Sequence, residues 1–176
     1  MRRTLEPFAT SVWPDSVDCW KVVMGLNADD GRFADLCRLV AGADRAPEDD
    51  PPEGASAAEL AMLSDRLGRS LPPLLRSWLS ICRGAAIGPG GVFGQRPDRP
   101  YLDVARIRDQ FPLWKSLGWL PVAGDGCGNY YVLTEDGTVG FVEPMSDPGR
   151  LERQVSTDLL SFMTDLLAAD QVPPPG

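Results

Sequence analysis

The stretch "NYYVLTEDGTVGFV", residues 129–142, decides the fold class of this chain. Both of its ends are rich in β-branched and aromatic residues, which favour strands, and its centre places Asp136 and Gly137 where a hairpin needs turn residues. The stretch therefore predicts two antiparallel strands joined by a tight turn. Short apolar pieces such as "AAIGPGGVFG" and "YLDVARI" stand among glycines and prolines before it. We therefore expect an antiparallel or mixed meander in the second half of the chain.

Amphipathic helices are predicted on both sides of this meander. The first ends near Gly42. Ser56 and Glu59 form an S-x-x-E capping box that starts the second, and Gly68 closes it. Prolines at 72–73 can open the third, since the first turn of a helix does not need their missing amides. The apolar stripes at helical spacing are Phe33, Leu36, Cys37 and Val40, then Leu60, Leu63 and Leu67, then Leu74, Leu75, Trp78, Leu79 and Cys82, and finally Leu159, Leu160, Met163, Leu166 and Leu167.

This order of elements predicts an α+β fold, with N-terminal helices, a meander and a C-terminal helix, and with the helices packed on one face of the sheet. We divide the 176 residues into an N-terminal extension (1–30), one domain (31–170) and a disordered proline-rich tail (171–176). We expect the extension to be helical and packed on the domain, because apolar residues recur at helical spacing after Pro14. These residues are Trp13, Val17, Trp20 and Val23.

The chain is acidic, and its charged residues are unevenly distributed along the sequence. The formal net charge is −8, which disfavours nucleic-acid binding, because such binding depends on Lys and Arg at the phosphates. Residues 116–149 contain no Lys or Arg. We interpret this segment as a negative face suited to a basic partner, although an acidic surface kept for solubility has the same composition. Its acidic residues are Asp125, Glu135, Asp136, Glu143 and Asp147.

The sequence shows no pattern typical of a signal peptide, a membrane-spanning helix or a disulfide-rich domain. The basic N-terminus lacks an apolar run of signal-peptide length, and no 18 consecutive residues are apolar, so we expect a cytoplasmic protein without a membrane partner. The cysteines at 19, 37, 82 and 127 are too widely spaced for a zinc knuckle, and we expect reduced, mostly buried thiols. We expect the chain to be a monomer or a weak dimer.

No credible catalytic set emerges from the sequence. The chain has no histidine, so the commonest activating base and the imidazole metal ligands are missing. Cys127 in "GDGCGN" is the best candidate nucleophile, since flanking glycines could leave amides free for an oxyanion. Its charged neighbours in the sequence, Asp125, Glu135 and Asp136, do not stabilise a thiolate. We therefore predict no enzyme activity and no cofactor.

The glycine-rich loop at 124–129 also fails as a ligand loop. An EF-hand counted from Asp125 needs an oxygen ligand where Cys127 stands and a glycine where Tyr130 stands. A dinucleotide fingerprint needs a helix after the glycines, and here a strand follows. We expect a structural turn, with glycines at positive φ and with Asp125 or Asn129 bonded to the nearby backbone. No metal site is predicted.

The aromatic side chains are expected mainly in the core or on the sheet. Trp114 or Tyr130 would instead be an interface anchor if it were exposed beside the acidic loops.

Two sequence blocks resemble the SUKH superfamily, the Smi/Knr-like proteins. In the block at 63–84, "LSDRLGRSLPPLLRSWLSICRG", one helix ends in Leu-Gly, a Leu-Pro pair opens the next, and that helix closes in a polar residue and Gly. The block "WKSLGWLPVAGDGCGNYYVLTEDGTVGFVEP" resembles the Trp, apolar-Pro-apolar-Ala and Asp-Gly-x-Gly pattern of the same family. The resemblance covers about residues 30–169. The matching residues are Leu67, Gly68, Leu71, Pro72, Gly84, Trp119, Leu120, Pro121, Val122, Ala123, Asp125, Gly126, Gly128 and Tyr131.

The resemblance implies a non-enzymatic binding protein. Many members are bacterial immunity proteins that neutralise a cognate toxin, often a nuclease, and a fungal branch regulates cell-wall assembly. A nuclease needs a basic cleft, so an acidic binder can compete there with phosphate. The alternative is an intracellular regulatory or scaffold protein with an unrelated protein or peptide partner. The predicted partner-binding residues are Asp125, Asn129, Tyr130, Glu135, Asp136, Glu143 and Trp114.

Overall fold

The computed structural model describes residues 30–46, 49 and 51–170. The helix predicted in the N-terminal extension, Cys19 and the tail at 171–176 lie outside the described residues. Within that part, the chain forms six α-helices, one short 3-10 helix and four strands. These are α1 (Asp30–Gly42), α2 (Ala57–Leu67), α3 (Pro73–Ile81), the 3-10 helix (Pro100–Leu102), α4 (Val104–Gln110), α5 (Pro112–Ser116), β1 (Leu120–Gly124), β2 (Tyr130–Leu133), β3 (Val139–Val142), β4 (Arg153–Ser156) and α6 (Leu159–Asp170).

The four strands form one antiparallel sheet in the order β1-β2-β3-β4. In the central pair, Tyr130 lies opposite Val142 and Leu133 lies opposite Val139. The outer side of β1 is bonded to the preceding loop, since Phe93 donates its backbone N–H to the Val122 carbonyl at 2.9 Å. The predicted α+β class is confirmed, as is the order of N-terminal helices, meander and C-terminal helix.

The ends of α2 follow the predicted capping chemistry. Ser56 Oγ accepts from the Glu59 backbone N–H at 3.2 Å, and Glu59 Oε2 accepts from the Ser56 backbone N–H at 2.8 Å. The Ser56 hydroxyl also donates to Glu59 Oε2 at 2.8 Å, and the donors of Ser56, first its backbone N–H and then its hydroxyl, hold the pKa of Glu59 below its ordinary value. Gly68 ends the helix with φ 66°, a conformation that favours glycine.

The segment from 100 to 116 differs from the prediction. "YLDVARI" was expected as a short piece of the meander, but it forms the 3-10 helix and the start of α4. Asp103 caps α4, because its Oδ1 accepts from the Arg106 backbone N–H at 2.8 Å. The helix has only seven residues, too few to establish a clear helical period in the sequence.

An ion pair between the buried Asp103 and the partly exposed side chain of Arg66 fixes this segment against α2. Asp103 is fully buried and accepts from Arg66 Nη1 at 2.9 Å and from Nη2 at 2.6 Å. The backbone N–H of Arg96 donates to the same carboxylate at 3.1 Å. A buried carboxylate needs such partners, because an unpaired one would bear the full cost of desolvation.

One continuous apolar core joins the helices to the sheet. Trp78 from α3 and Trp114 from α5 are fully buried in it. Cys82 is buried as predicted, and its burial raises the pKa of the thiol to about 11. Cys37 is half-buried, whereas Cys127 is exposed because it lies at the tip of a loop, so the prediction of a buried thiol is wrong there. No helix in the described part is long and apolar enough to cross a membrane.

Candidate functional site

The loop between β1 and β2 is organised around one carboxylate. Asp125 Oδ1 accepts from the backbone N–H groups of Cys127 at 2.7 Å and Asn129 at 3.0 Å. Asn129 Nδ2 donates to Asp125 Oδ2 at 2.7 Å. Gly126 and Gly128 have φ values of 80° and 93°. The prediction of a structural turn at positive φ, closed by a side chain on the backbone, is confirmed.

A second glycine-rich loop explains why this turn needs its first glycine. A Cβ added at Gly126 would lie 2.6 Å from the Pro89 carbonyl oxygen, and one added at Gly90 would lie 2.3 Å from the Gly126 nitrogen. Gly124 donates its N–H to the Gly91 carbonyl at 3.0 Å. The glycines of the two loops therefore permit backbone-to-backbone packing.

The loop also sets the charge state of its carboxylate. Partial burial acts to raise the pKa of Asp125, but the hydrogen bonds from Asn129 and Cys127 together hold it below its ordinary value. Next to it, burial and the charge of Asp125 raise the pKa of the Tyr130 hydroxyl. At neutral pH this end of the sheet carries an ionised acid beside an uncharged phenol.

Tyr130 belongs to an aromatic cluster that lies beneath the loop. Its ring centroid lies 5.5 Å from that of Trp114, 5.4 Å from that of Phe111 and 6.0 Å from that of Phe93. Tyr130 is partly exposed, whereas Trp114 is fully buried. The predicted role of Trp114 as an exposed anchor is therefore wrong, because its ring fills the core beneath Tyr130.

Trp114 nevertheless positions a surface segment. Its indole Nε1 donates to the Pro148 carbonyl at 2.6 Å and so ties the turn at 143–150 to α5. Within that turn, the backbone N–H groups of Ser146 and Asp147 donate to the Glu143 carbonyl at 2.9 and 3.1 Å. Trp114 thus acts on the surface through the backbone that it holds.

The sheet separates the predicted acidic residues into two groups. Glu143 follows Val142, which pairs with Tyr130, so Glu143 lies at the same end of the sheet as the Asp125 loop. Glu135 and Asp136 lie in the β2–β3 turn. They are at the other end of β2, a strand of four residues that spans about 13 Å.

The first group lies on a surface that we call the acidic end of the sheet, where the exposed Arg150 of the same turn is the basic neighbour. Glu143 is partly exposed there, Asp147 is exposed, and Met145 projects between them with 96% of its surface exposed. Sequence reasoning missed Met145, for which the only signal is its place between the prolines of "EPMSDPG". We define the acidic end by Asp125, Asn129, Tyr130, Glu143, Met145 and Asp147.

The second group has a structural role and a basic neighbour. Asp136 Oδ1 accepts from the Thr138 backbone N–H at 3.1 Å and from the Thr134 hydroxyl. The Thr134 hydroxyl, followed by the Thr138 backbone, holds the pKa of Asp136 below its ordinary value. Glu135 Oε1 lies 3.7 Å from Arg69 Nη1. This turn is therefore electrostatically mixed, although no basic residue lies near it in the sequence.

The surroundings of Cys127 do not have the features of a reactive or metal-binding centre. The Cys127 thiol is exposed, and no side-chain base is hydrogen-bonded to it in the described part of the chain. No group of three or more potential metal-ligating side chains occurs among the described residues.

The sequence of this chain matches a known protein family. A sequence model of the SMI1/KNR4 family (SUKH-1) matches residues 54–165, from the residues before α2 to the middle of α6. The match contains the capping box, the Arg66–Asp103 ion pair, both glycine-rich loops and all four strands. A search of curated proteins found no match. This chain belongs to the SMI1/KNR4 family (SUKH-1).

Proposed function

We propose that this protein is a non-enzymatic binding module that uses the acidic end of its sheet to hold a basic protein. We further propose that the partner is a toxin domain, such as a nuclease, which the module neutralises in the cytoplasm. Family membership supports a binding role of the immunity or regulator kind. The carboxylates at the acidic end of the sheet favour a partner with positive charge.

The observation that carries the proposal is the exposure of Met145 between carboxylates. An apolar side chain that is 96% exposed loses contact with water when a partner covers it, which favours association. Methionine is unbranched and adapts its shape to the surface it meets. Glu143 and Asp147 on either side then select a partner that offers Lys or Arg around an apolar contact.

This surface suits competition with an anionic substrate. A nuclease places positive charge where it binds phosphates, and the carboxylates of an acidic binder can occupy the same positions. Such charge complementarity mainly speeds the encounter of the two proteins, whereas the apolar contact mainly slows their dissociation. The bound module would block access to substrate without any chemical step of its own.

The experiment is to co-produce this protein with any candidate toxin domain encoded next to its gene and to measure growth, and then to titrate the toxin's activity with the purified protein. We expect protection of the cell and loss of toxin activity at a near equimolar ratio. Binding without protection would assign the module to regulation of another protein. The absence of binding to any basic partner would contradict the proposed role of the acidic end.

A further inference from the structure

A pocket with the opposite charge lies at the other end of β2. It has a volume of about 410 Å³ and opens where the end of α2 meets α4, α5 and the β2–β3 turn. Its charged lining residues are Arg69, Arg108, Lys115 and Glu135. Three positively charged side chains and one negatively charged side chain thus line this pocket, although the whole chain has a net charge of −8.

Arg108 is the buried member of this set. Only 5% of its surface is exposed, and its Nη1 donates to the Leu67 carbonyl at 3.1 Å. Its Nη2 lies 3.5 Å from the Lys115 carbonyl, and its Nε is buried without a hydrogen-bond partner. Among the described residues no carboxylate lies within ion-pair distance of this guanidinium. Its direct hydrogen bonds go to carbonyl groups, and the charge of Asp109 acts only from a distance; burial followed by the nearby Arg69 charge lowers its pKa.

The other two cations have partners at the mouth of the pocket. Arg69 Nη1 donates to the Gly118 carbonyl at 3.0 Å, and its nearest carboxylate is Glu135 at 3.7 Å. Lys115 Nζ lies 2.6 Å from Asp109 Oδ1, and both of these side chains are more than half exposed. The buried Arg108 and the loosely paired Arg69 leave positive potential inside the pocket. That potential is strongest beside the buried Arg108, where less water screens it.

We propose that this pocket binds a carboxylate group, which contacts the Arg69 guanidinium and is stabilised by the buried charge of Arg108. A guanidinium matches the planar carboxylate with two parallel donors. A carboxylate fits better than a phosphate, because the exposed Glu135 at the rim repels a doubly charged group more strongly. The site is separate from the acidic end of the sheet, and the inference does not depend on the proposed partner there.

The carboxylate has two possible sources, a small organic acid or an acidic side chain of a bound protein. Both are tested on the full chain by following the Nε–H NMR signals of Arg69 and Arg108 at constant ionic strength. The probes are acetate, succinate and an acetylated, amidated peptide that carries a single Glu, with chloride and inorganic phosphate as comparisons. We expect saturable shifts with the carboxylates and only a weak, linear response to chloride. Binding of the peptide identifies a protein source, and binding of the free acids alone identifies a small molecule.

Three variants separate a binding role from a structural one. Arg69→Gln should weaken carboxylate binding about tenfold. Glu135→Gln should strengthen it several-fold, since it removes the competing charge, and an improvement of that kind is not expected from a merely structural residue. Glu152→Gln, an exposed residue just before β4, is the matched control and should leave the affinity unchanged. Arg108 is kept intact, because its bonds to carbonyls hold α2 and α5.

Three results would overturn the proposal. The first is the same linear response to carboxylates as to chloride. The second is saturable binding of phosphate alone. The third is an unchanged or weaker affinity in Glu135→Gln.

Discussion

Asn129 binds the carboxylate of Asp125 twice, through its backbone N–H to Oδ1 at 3.0 Å and through its side-chain Nδ2 to Oδ2 at 2.7 Å. Cys127 adds a third hydrogen bond at 2.7 Å. The loop at the acidic end of the sheet is therefore closed by the charged form of one acid. This arrangement ties the shape of the surface to pH.

Asp125→Asn should reduce the pH dependence of stability. The folded-state pKa of Asp125 lies below its ordinary value, so its contribution is fully present above about pH 4 and is lost as pH falls through the folded pKa. We expect the variant to be about 1 kcal/mol less stable at neutral pH, a small value because the site is partly exposed. Urea unfolding at a series of pH values measures the difference, which should shrink in acid. A difference that stays constant with pH would contradict the assignment.

Gly126→Ala should destabilise the protein more than Gly128→Ala. Both glycines have positive φ, so each substitution strains the backbone by about 1–3 kcal/mol. Only the Cβ at position 126 would also meet backbone, at 2.6 Å from the Pro89 oxygen, whereas none lies within 4 Å of the Cβ at position 128. Thermal unfolding of the two variants measures the difference. Equal losses would mean that the packing of the two loops adds nothing.

Asp103→Ala should be among the most damaging single changes. It leaves two backbone N–H groups without their acceptor, at a cost of about 1–3 kcal/mol each, and removes the carboxylate partner of the partly exposed Arg66. Arg38→Ala is the matched control, because its ion pair with Asp35 is exposed and is worth less than about 1 kcal/mol. Urea unfolding of both variants gives the comparison. A small loss in Asp103→Ala would show that water replaces the carboxylate.

Trp114→Phe should loosen the turn at 143–150. The change keeps an aromatic ring in the core but removes the Nε1 hydrogen bond to the Pro148 carbonyl. Trp78→Phe is the control, since Trp78 is equally buried and its Nε1 has no hydrogen-bond partner. Hydrogen exchange should rise in peptides covering 143–150 in the first variant only. A similar rise in both would point to general loss of packing.

Variants at the acidic end should separate the charge from the apolar contact. Glu143→Lys is expected to slow association with a basic partner and to weaken its dependence on salt, whereas Met145→Ala should mainly speed dissociation. Asp165→Lys, an exposed position on α6, makes the same charge change elsewhere. Surface plasmon resonance at several salt concentrations distinguishes the rates. If Asp165→Lys slowed association as much as Glu143→Lys, net charge rather than this surface would govern the encounter.

The sequence predicted secondary structure correctly where the stabilising interactions join residues that are close in the chain. The capping box of Ser56 and Glu59, the turn at Asp136–Gly137 and the bend around Asp125 all involve residues two to four positions apart. α4, α5 and β4 were missed, because seven, five and four residues give too few repeats for a period to emerge. β4 is also largely exposed and lacks the alternation of a half-buried strand.

The candidate site was only partly predictable, because a sequence shows which charges are near each other along the chain but not in space. The sequence named Asp125, Tyr130 and Glu143 as partner-binding residues, which stays a prediction, and the structure places them at one end of the sheet. The pairing of β2 with β3 places Glu135 and Asp136 at the opposite end of the sheet. Trp114 is buried in the core and does not reach the surface. Met145 was not predicted, because residue type alone does not show whether an apolar side chain is exposed.

By itself, the sequence determined the α+β class, the ends of α2 and the turn chemistry of the hairpin, since hydrophobic period and capping act over a few residues. Tertiary structure alone decided which charges meet. Arg66 finds Asp103 across 37 residues, and Arg108 caps the carbonyl of Leu67 across 41. Such pairs form only when the core brings distant elements together, because burial of apolar surface drives the collapse and the polar groups trapped by it must then find partners.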